Sequence, residues 1–124
     1  MPDSIFYARP RHPRNPATYE PLIDHLIAVE NHCVCNTPNE TTLYSGTRTL
    51  PVLRVMAWLH DLGKLTTWWQ RDHENKTVPN INRPPGNVGN HAFIGGVATW
   101  WVLDQLGYDD RVKVTAAIAV ARHH

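Results

Sequence analysis

The 124-residue sequence lacks the features that mark membrane and secreted proteins. No apolar stretch approaches the roughly 20 residues that are needed to cross a bilayer, and the N-terminus has no apolar signal core. Cysteine is scarce: Cys33 and Cys35 are too close together for an easy disulfide, and no second pair exists to complete a zinc site. These absences favour a cytoplasmic protein without a membrane partner.

Net charge is also small. The formal value of +1 indicates no strong nucleic-acid-binding surface over the chain as a whole. Arginine is nevertheless concentrated in residues 1–17, where Arg9, Arg11 and Arg14 accompany a single acid, Asp3. Prolines in the same stretch predict an irregular segment. Its basic charge leaves two interpretations open, a solvated tail or an attraction for backbone phosphates.

Residues 18–124 contain several runs of apolar residues at helical spacing. No run alternates as a half-buried strand does, so we predict an all-α bundle over residues 18–124. Thr18 is a candidate N-cap for the first helix, and Gly63 is a candidate end for the second. Residues 73–90 are rich in proline and glycine and are predicted to form a long loop.

The last two predicted helices have apolar stripes that indicate their buried faces. The stripes consist of Ile94, Val97, Ala98 and Trp101 in the third helix and of Val112, Ala116, Ala119 and Val120 in the fourth. For Trp58, Trp100 and Trp101 we expect positions in the core rather than a role in stacking on bases. His123 continues the fourth stripe and therefore points inward, where a polar group without a partner is costly.

Histidines, with one adjacent aspartate, recur at the ends or inner faces of all four predicted helices. A single inward histidine is usually a core residue bonded to a backbone carbonyl. Its recurrence on four helices instead favours a metal site, because metal sites in helical bundles are assembled from ligands on facing helices. The candidate ligands are His25, His60, Asp61, His91, His123 and His124.

The ligand types predict which metals would bind and what they would do. Neutral imidazole suits manganese, iron, cobalt, nickel and zinc better than magnesium or calcium. Six candidate ligands are too many for one tetrahedral ion, so we expect two divalent ions bridged by Asp61. Their surplus positive charge would attract a phosphate and lower the pKa of a bound water, which predicts phosphoester hydrolysis.

The order of these residues resembles the HD phosphohydrolase superfamily. In detail, HDLGKLTTWWQ at residues 60–70 resembles the HD-x-G-K…Q signature of the HD nuclease domain of type I CRISPR systems. That domain is part of, or partners, the signature helicase-nuclease, and in one subtype it belongs to the large effector subunit. DHLIAVENH, HAFIGG and AIAVARHH resemble the family's first-histidine helix, next histidine motif and paired-histidine motif. The resemblance covers residues 20–124.

The resemblance implies a metal-dependent nuclease that nicks single-stranded DNA and degrades it from an end. The implied ligands are His25, His60 and Asp61 for one ion, and Asp61, His91, His123 and His124 for the other. The catalytic residues implied are the bridging Asp61 and also Lys64, which would contact a phosphate of the nucleic acid. The implied partners, besides single-stranded DNA, are a CRISPR helicase or the subunits of an effector complex.

The sequence departs from the family pattern at one point. The family completes its first metal site with an aspartate on a later helix, and no acid in this sequence matches that motif. We therefore expect the HD domain to be incomplete at its C-terminus. Two other functions remain open, a phosphohydrolase that acts on nucleotides or cyclic nucleotides and a degenerate HD module with a structural role in an effector complex.

Overall fold

The computed structural model describes residues 6–9, 20–65 and 91–123, and these form a bundle of helices with one small pair of strands. In chain order the elements are β1 (Tyr7–Arg9), β2 (Glu20–Pro21), α1 (Leu22–Asn36), α2 (Thr49–Leu59), a 3-10 helix (Leu62–Leu65), α3 (His91–Gln105) and α4 (Asp110–Ala121). The predicted all-α class is confirmed. In the described part of the chain, none of the helices combines the length and the apolar character that crossing a membrane requires.

The strand pair was not predicted from the sequence. β1 and β2 are antiparallel with an irregular register, and they are too short to show an alternating pattern. α1 begins directly after β2. The backbone N–H of Leu22, the first residue of α1, donates to the carbonyl of Phe6 at 2.7 Å. The helix therefore begins at Leu22 and not after Thr18, which lies outside the described residues. Ala8 in β1 is buried against Leu22 and Leu26.

We predicted that Gly63 ends the second helix, and this prediction is wrong. α2 stops at Leu59, and the chain turns through His60 and Asp61 into the 3-10 helix that contains Gly63. A Cβ at Gly63 would lie 2.4 Å from the Cα of His91, far inside van der Waals contact. Glycine is needed there because the start of α3 packs directly on this backbone.

The buried face of α3 is the opposite of the predicted one. Ile94, Val97 and Trp101 of the predicted stripe are 39%, 55% and 59% exposed. The buried residues are instead mostly small: His91, Ala92, Gly95, Gly96, Thr99 and Leu103. Almost every residue of α3 is apolar or small, so hydrophobic periodicity does not select a face, and the side that permits close approach is buried.

Two glycines of α3 permit that approach. A Cβ at Gly95 would lie 2.5 Å from the carbonyl oxygen of Leu59, and one at Gly96 would lie 2.8 Å from that of Ala117. Gly95 therefore brings α3 against the end of α2, and Gly96 brings it against α4. This packing places the start of α3 and the end of α4 beside the turn that carries His60.

α4 follows the prediction more closely. It begins at Asp110 after an N-cap at Asp109, whose side chain accepts a hydrogen bond from the backbone N–H of Val112 at 3.1 Å. Val112, Ala116 and Val120 are buried as predicted, whereas Ala119 is exposed. The core cluster of this half of the bundle consists of Val52, Leu103, Val112 and Ala116.

The tryptophans that we expected in the core are partly exposed, with 37% of Trp58, 40% of Trp100 and 59% of Trp101 accessible. The indole N–H of Trp58 donates to Glu30 Oε2 at 2.6 Å, which links α1 to α2. The ammonium of Lys113 lies 4.8 Å from the ring centre of Trp100. Their wide rings cover the outer surface of the helices because small residues occupy the closest contacts between helices.

Candidate metal centre

Asp61 lies at the centre of a cluster of nitrogen-bearing side chains and is only 1% exposed. It occupies the turn between α2 and the 3-10 helix. Its Oδ2 is 2.8 Å from Lys64 Nζ, 3.1 Å from His25 Nε2 and 3.3 Å from His60 Nε2. Its Oδ1 is 3.2 Å from His91 Nε2 and 3.4 Å from His123 Nε2. One carboxylate therefore has imidazole nitrogens beside both of its oxygens.

Each histidine comes from a different element of the fold. His25 lies in the second turn of α1, and His60 is the C-cap of α2. His91 is the first residue of α3, and His123 follows the end of α4. The predicted ligand His124 lies outside the described residues. The structure thus brings together the described candidate ligands, although they are up to 98 positions apart in sequence (123 − 25).

The orientation of the imidazole rings suits metal binding. His60 Nδ1 lies 2.7 Å from the carbonyl oxygen of Ala57, and His123 Nδ1 lies 2.6 Å from that of Val120. A carbonyl only accepts, so Nδ1 carries the proton and, in the neutral ring, Nε2 keeps its lone pair. His25 Nδ1 has a carboxylate partner instead, Glu20 Oε2 at 3.4 Å. Such partners are the usual support of histidines that bind metals.

The ammonium of Lys64 on Asp61 Oδ2 does not separate all the facing acceptors of the described cluster. His25 and His60 bring their Nε2 atoms to 3.3 Å from each other and to a similar distance from Asp61 Oδ2. Asp61 Oδ1 is buried and accepts no hydrogen bond of good geometry from the described residues. Lone pairs and a carboxylate that face one another at these distances repel unless a proton or a metal ion lies between them.

The pKa values of the cluster reflect this requirement. Burial opposes ionisation of Asp61, but the close contacts with His60, His91 and Lys64 outweigh it and hold the pKa of the carboxyl well below its usual range. Burial also disfavours the charged form of His60. Its contacts with the Asp61 carboxylate and the Ala57 carbonyl are stronger, however, and raise the pKa of the imidazole. These contacts therefore favour the ionised form of Asp61.

Two groups of residues in the described part of the chain could hold a metal ion, and they share Asp61. We name them the first triad (His25, His60 and Asp61) and the second triad (Asp61, His91 and His123). Within each triad the ligand atoms all lie within 4.8 Å of one another. The donor set, imidazole with a shared carboxylate, and the unsatisfied Oδ1 both fit divalent metal ions.

Three contacts at the site were not foreseen from the sequence. The family resemblance implies that Lys64 contacts a phosphate of the nucleic acid. In the structure its ammonium instead donates hydrogen bonds to Asp61 Oδ2 and to the carbonyl of Ala8, and the residue is only 8% exposed. Glu20 and Ala8 had no predicted role. Neither carries a sequence signal, because both reach the site through the strand pair.

The chain is similar to the "CRISPR-associated nuclease/helicase Cas3" of Haloferax volcanii, with 42% identity over 85 residues. The match covers 68% of this chain but 8% of that protein, so the chain spans less than a tenth of the length of this relative. No family model matches the chain. No solved structure matches it significantly. The similarity therefore relates most of this chain to one small part of a CRISPR-associated nuclease/helicase.

Proposed function

We propose that the chain contains the HD nuclease domain of a CRISPR helicase-nuclease or effector subunit and that it hydrolyses the phosphodiester bonds of single-stranded DNA. The observation that carries the proposal is the sharing of one buried carboxylate by two groups of imidazoles, with Asp61 at the junction of the first and second triads. The similarity to part of a CRISPR-associated nuclease/helicase supports a nucleic acid as the class of substrate.

In this proposal the protein's own residues hold and orient two divalent ions. A carboxylate or carbonyl partner at Nδ1 orients three of the histidine rings so that each Nε2 faces Asp61. The partner is Glu20 for His25, Ala57 for His60 and Val120 for His123. His91 Nε2 lies beside Oδ1, and His124 would add a further ligand to the second triad. When bound, divalent ions neutralise the charge of a phosphodiester and lower the pKa of water, which is the chemistry that hydrolysis needs.

The composition of the site also supports a choice of metal. Each triad contains two imidazoles and shares one carboxylate. Magnesium prefers oxygen ligands and an octahedral shell that keeps several waters. Manganese, iron, cobalt and nickel accept imidazole readily, and we propose one of these as the native ion.

One contact favours a second candidate function. The ammonium of Lys64 lies 2.8 Å from Asp61 Oδ2, so part of the anion's charge is already compensated by the protein. A degenerate module could keep this ion pair in place of metal and serve as a structural part of an effector complex. Such a module would bind no divalent ion and cut no DNA, whereas the nuclease would do both.

The experiment is a cleavage assay on single-stranded DNA with Mn²⁺, Co²⁺, Ni²⁺ or Mg²⁺, with a panel of nucleotides and cyclic nucleotides as alternative substrates. We expect DNA cleavage with the first three ions and little with Mg²⁺. Asp61→Asn should abolish DNA cleavage, because it removes the shared anion. The variant keeps the shape of the side chain, so the loss can be attributed to the charge. Asp104→Asn, which alters a carboxylate bound to Lys113 away from the site, should cut normally. Hydrolysis of nucleotides alone, or cleavage that survives Asp61→Asn, would contradict the proposal.

A further inference from the structure

Lys64 contacts one of the two carboxylate oxygens of Asp61, Oδ2. Its ammonium lies 2.8 Å from Oδ2, the oxygen that also faces His25 and His60. Oδ1, which faces His91 and His123, accepts no hydrogen bond of good geometry from the described residues. The first triad therefore already contains a cation beside its carboxylate oxygen, whereas the described neighbours of the carboxylate oxygen in the second triad are the imidazoles of His91 and His123.

The position of Lys64 is held by the fold. The carbonyl of Ala8 in β1 accepts from Nζ at 3.3 Å, and Ala8 is itself buried against Leu22 and Leu26 of α1. The 3-10 helix places Lys64 three residues after Asp61, so the two side chains meet on one side of the turn. A lysine that is only 8% exposed cannot swing into solvent without breaking these contacts.

We propose that Lys64 is a built-in counter-cation that sets the order of metal loading. The second triad takes an ion first, and the first triad takes one only when the ammonium of Lys64 is displaced from Asp61 Oδ2. The inference rests on the metal-binding part of the proposed function and gives Lys64 a role before any nucleic acid arrives. Two cations on one carboxylate oxygen repel each other across a short distance in a buried setting, where screening by water is weak.

The proposal predicts a specific change when the ammonium is removed. Lys64→Met keeps the length of the side chain without its charge, so it should raise the affinity of the weaker metal site by about tenfold or more, the scale on which one close charge shifts a neighbouring equilibrium. The stronger site should change less. Lys113→Met is the matched control, because Lys113 is as buried as Lys64 and pairs with Asp104 and Asp110 at 2.6 and 3.0 Å, away from the triads.

The test is calorimetric titration with Mn²⁺ of the unsubstituted chain, Lys64→Met, Lys113→Met and Asp61→Asn, with circular dichroism to verify folding. We expect two unequal sites in the unsubstituted chain and in Lys113→Met, two nearly equal sites in Lys64→Met and almost no binding in Asp61→Asn. Two unequal sites that Lys64→Met leaves unchanged would overturn the role of Lys64 and leave the proposed function standing. Absence of binding to the unsubstituted chain would overturn both.

A measurement on the unsubstituted chain covers the case in which Lys64→Met does not fold. Zn²⁺ is diamagnetic, so the nuclear magnetic resonance signal of the Lys64 side-chain ammonium can be followed as the ion is added. We expect a small change with the first equivalent and a large one with the second, as the contact with Asp61 is lost. A large change that is complete at the first equivalent would show that the first triad fills first and would overturn the proposed order.

Discussion

Replacing Gly63 by alanine should disable the proposed metal centre without changing any proposed ligand. The Cβ of an alanine at this position would lie 2.4 Å from the Cα of His91 and 2.6 Å from both its Cβ and its carbonyl oxygen, where ordinary contacts are 3.4–4 Å. The start of α3 must therefore move away by about 1 Å. Overpacking of this kind costs about 1–3 kcal/mol of stability.

The same movement acts on the site. His91 Nε2 is 3.2 Å from Asp61 Oδ1, and a displacement of about 1 Å greatly exceeds the roughly 0.2 Å within which metal–ligand distances are held. We expect Gly63→Ala to weaken metal binding by at least about 10- to 100-fold, the usual effect of disturbing the support of a ligand. Thermal unfolding in chelator and calorimetric titration with Mn²⁺ measure the two effects separately.

Gly46→Ala is the control for general destabilisation. Gly46 has a φ of +81°, and no atom of the described residues lies within 4 Å of where a Cβ would be, so alanine there costs about 1–2 kcal/mol through backbone strain. Both variants should unfold at a lower temperature, and only Gly63→Ala should lose metal affinity. Unchanged affinity in Gly63→Ala, or an equal loss in Gly46→Ala, would refute the argument that this close approach positions the ligand.

Three further outcomes are expected. Glu20→Gln, which removes the charged partner of His25 at 3.4 Å, should lower Mn²⁺ affinity by about tenfold with little change in melting temperature; equal affinity by titration would speak against a role for Glu20. In chelator, the free energy of unfolding should be lower at about pH 8 than at about pH 5.5. The pKa of His60 is raised in the folded protein, so its stabilising contribution is complete below pH 6.5, its ordinary pKa, and is lost as the pH rises through the folded-state pKa. The pKa of Asp61 is lowered, so its contribution is present at every pH above 3.8, its ordinary pKa, and does not change over this range. Denaturant titrations check this, and a flat profile would contradict it. Leu103→Ala should cost about 2–5 kcal/mol, because Leu103 is fully buried, and a loss under 1 kcal/mol, on the order of a surface substitution, would disprove its place in the core.

The sequence was informative about where the candidate ligands lie, because their positions follow from local patterns. His123 continues the stripe of Val112, Ala116 and Val120, so its inward direction could be predicted from helical periodicity, and the structure places it beside Asp61. His60 and Asp61 follow the apolar residues of α2 and are partly or fully buried. The inward direction of a candidate ligand at the end of an amphipathic helix can therefore be predicted without knowledge of how the helices pack.

The errors arose where packing depended on distant residues or on size. α3 contains so few polar residues that periodicity could not choose its buried face, and small residues such as Gly95 and Gly96 decided it. Two partners at the site, the Ala8 carbonyl for Lys64 and the Glu20 carboxylate for His25, lie on a strand pair that joins residues 6–9 to the start of α1. The predicted loop over residues 73–90 lies outside the described residues, and its conformation stays a prediction.

Crystals soaked in Mn²⁺ and measured at an anomalous wavelength would test most directly whether Asp61 is shared by two ions. We predict two anomalous peaks on opposite sides of its carboxylate, one within bonding distance of Oδ2, His25 and His60 and the other within bonding distance of Oδ1, His91 and His123. A single peak at Asp61 under saturating Mn²⁺ would contradict the sharing of this carboxylate by two ions, and the absence of any peak would contradict the proposal that the cluster binds metal.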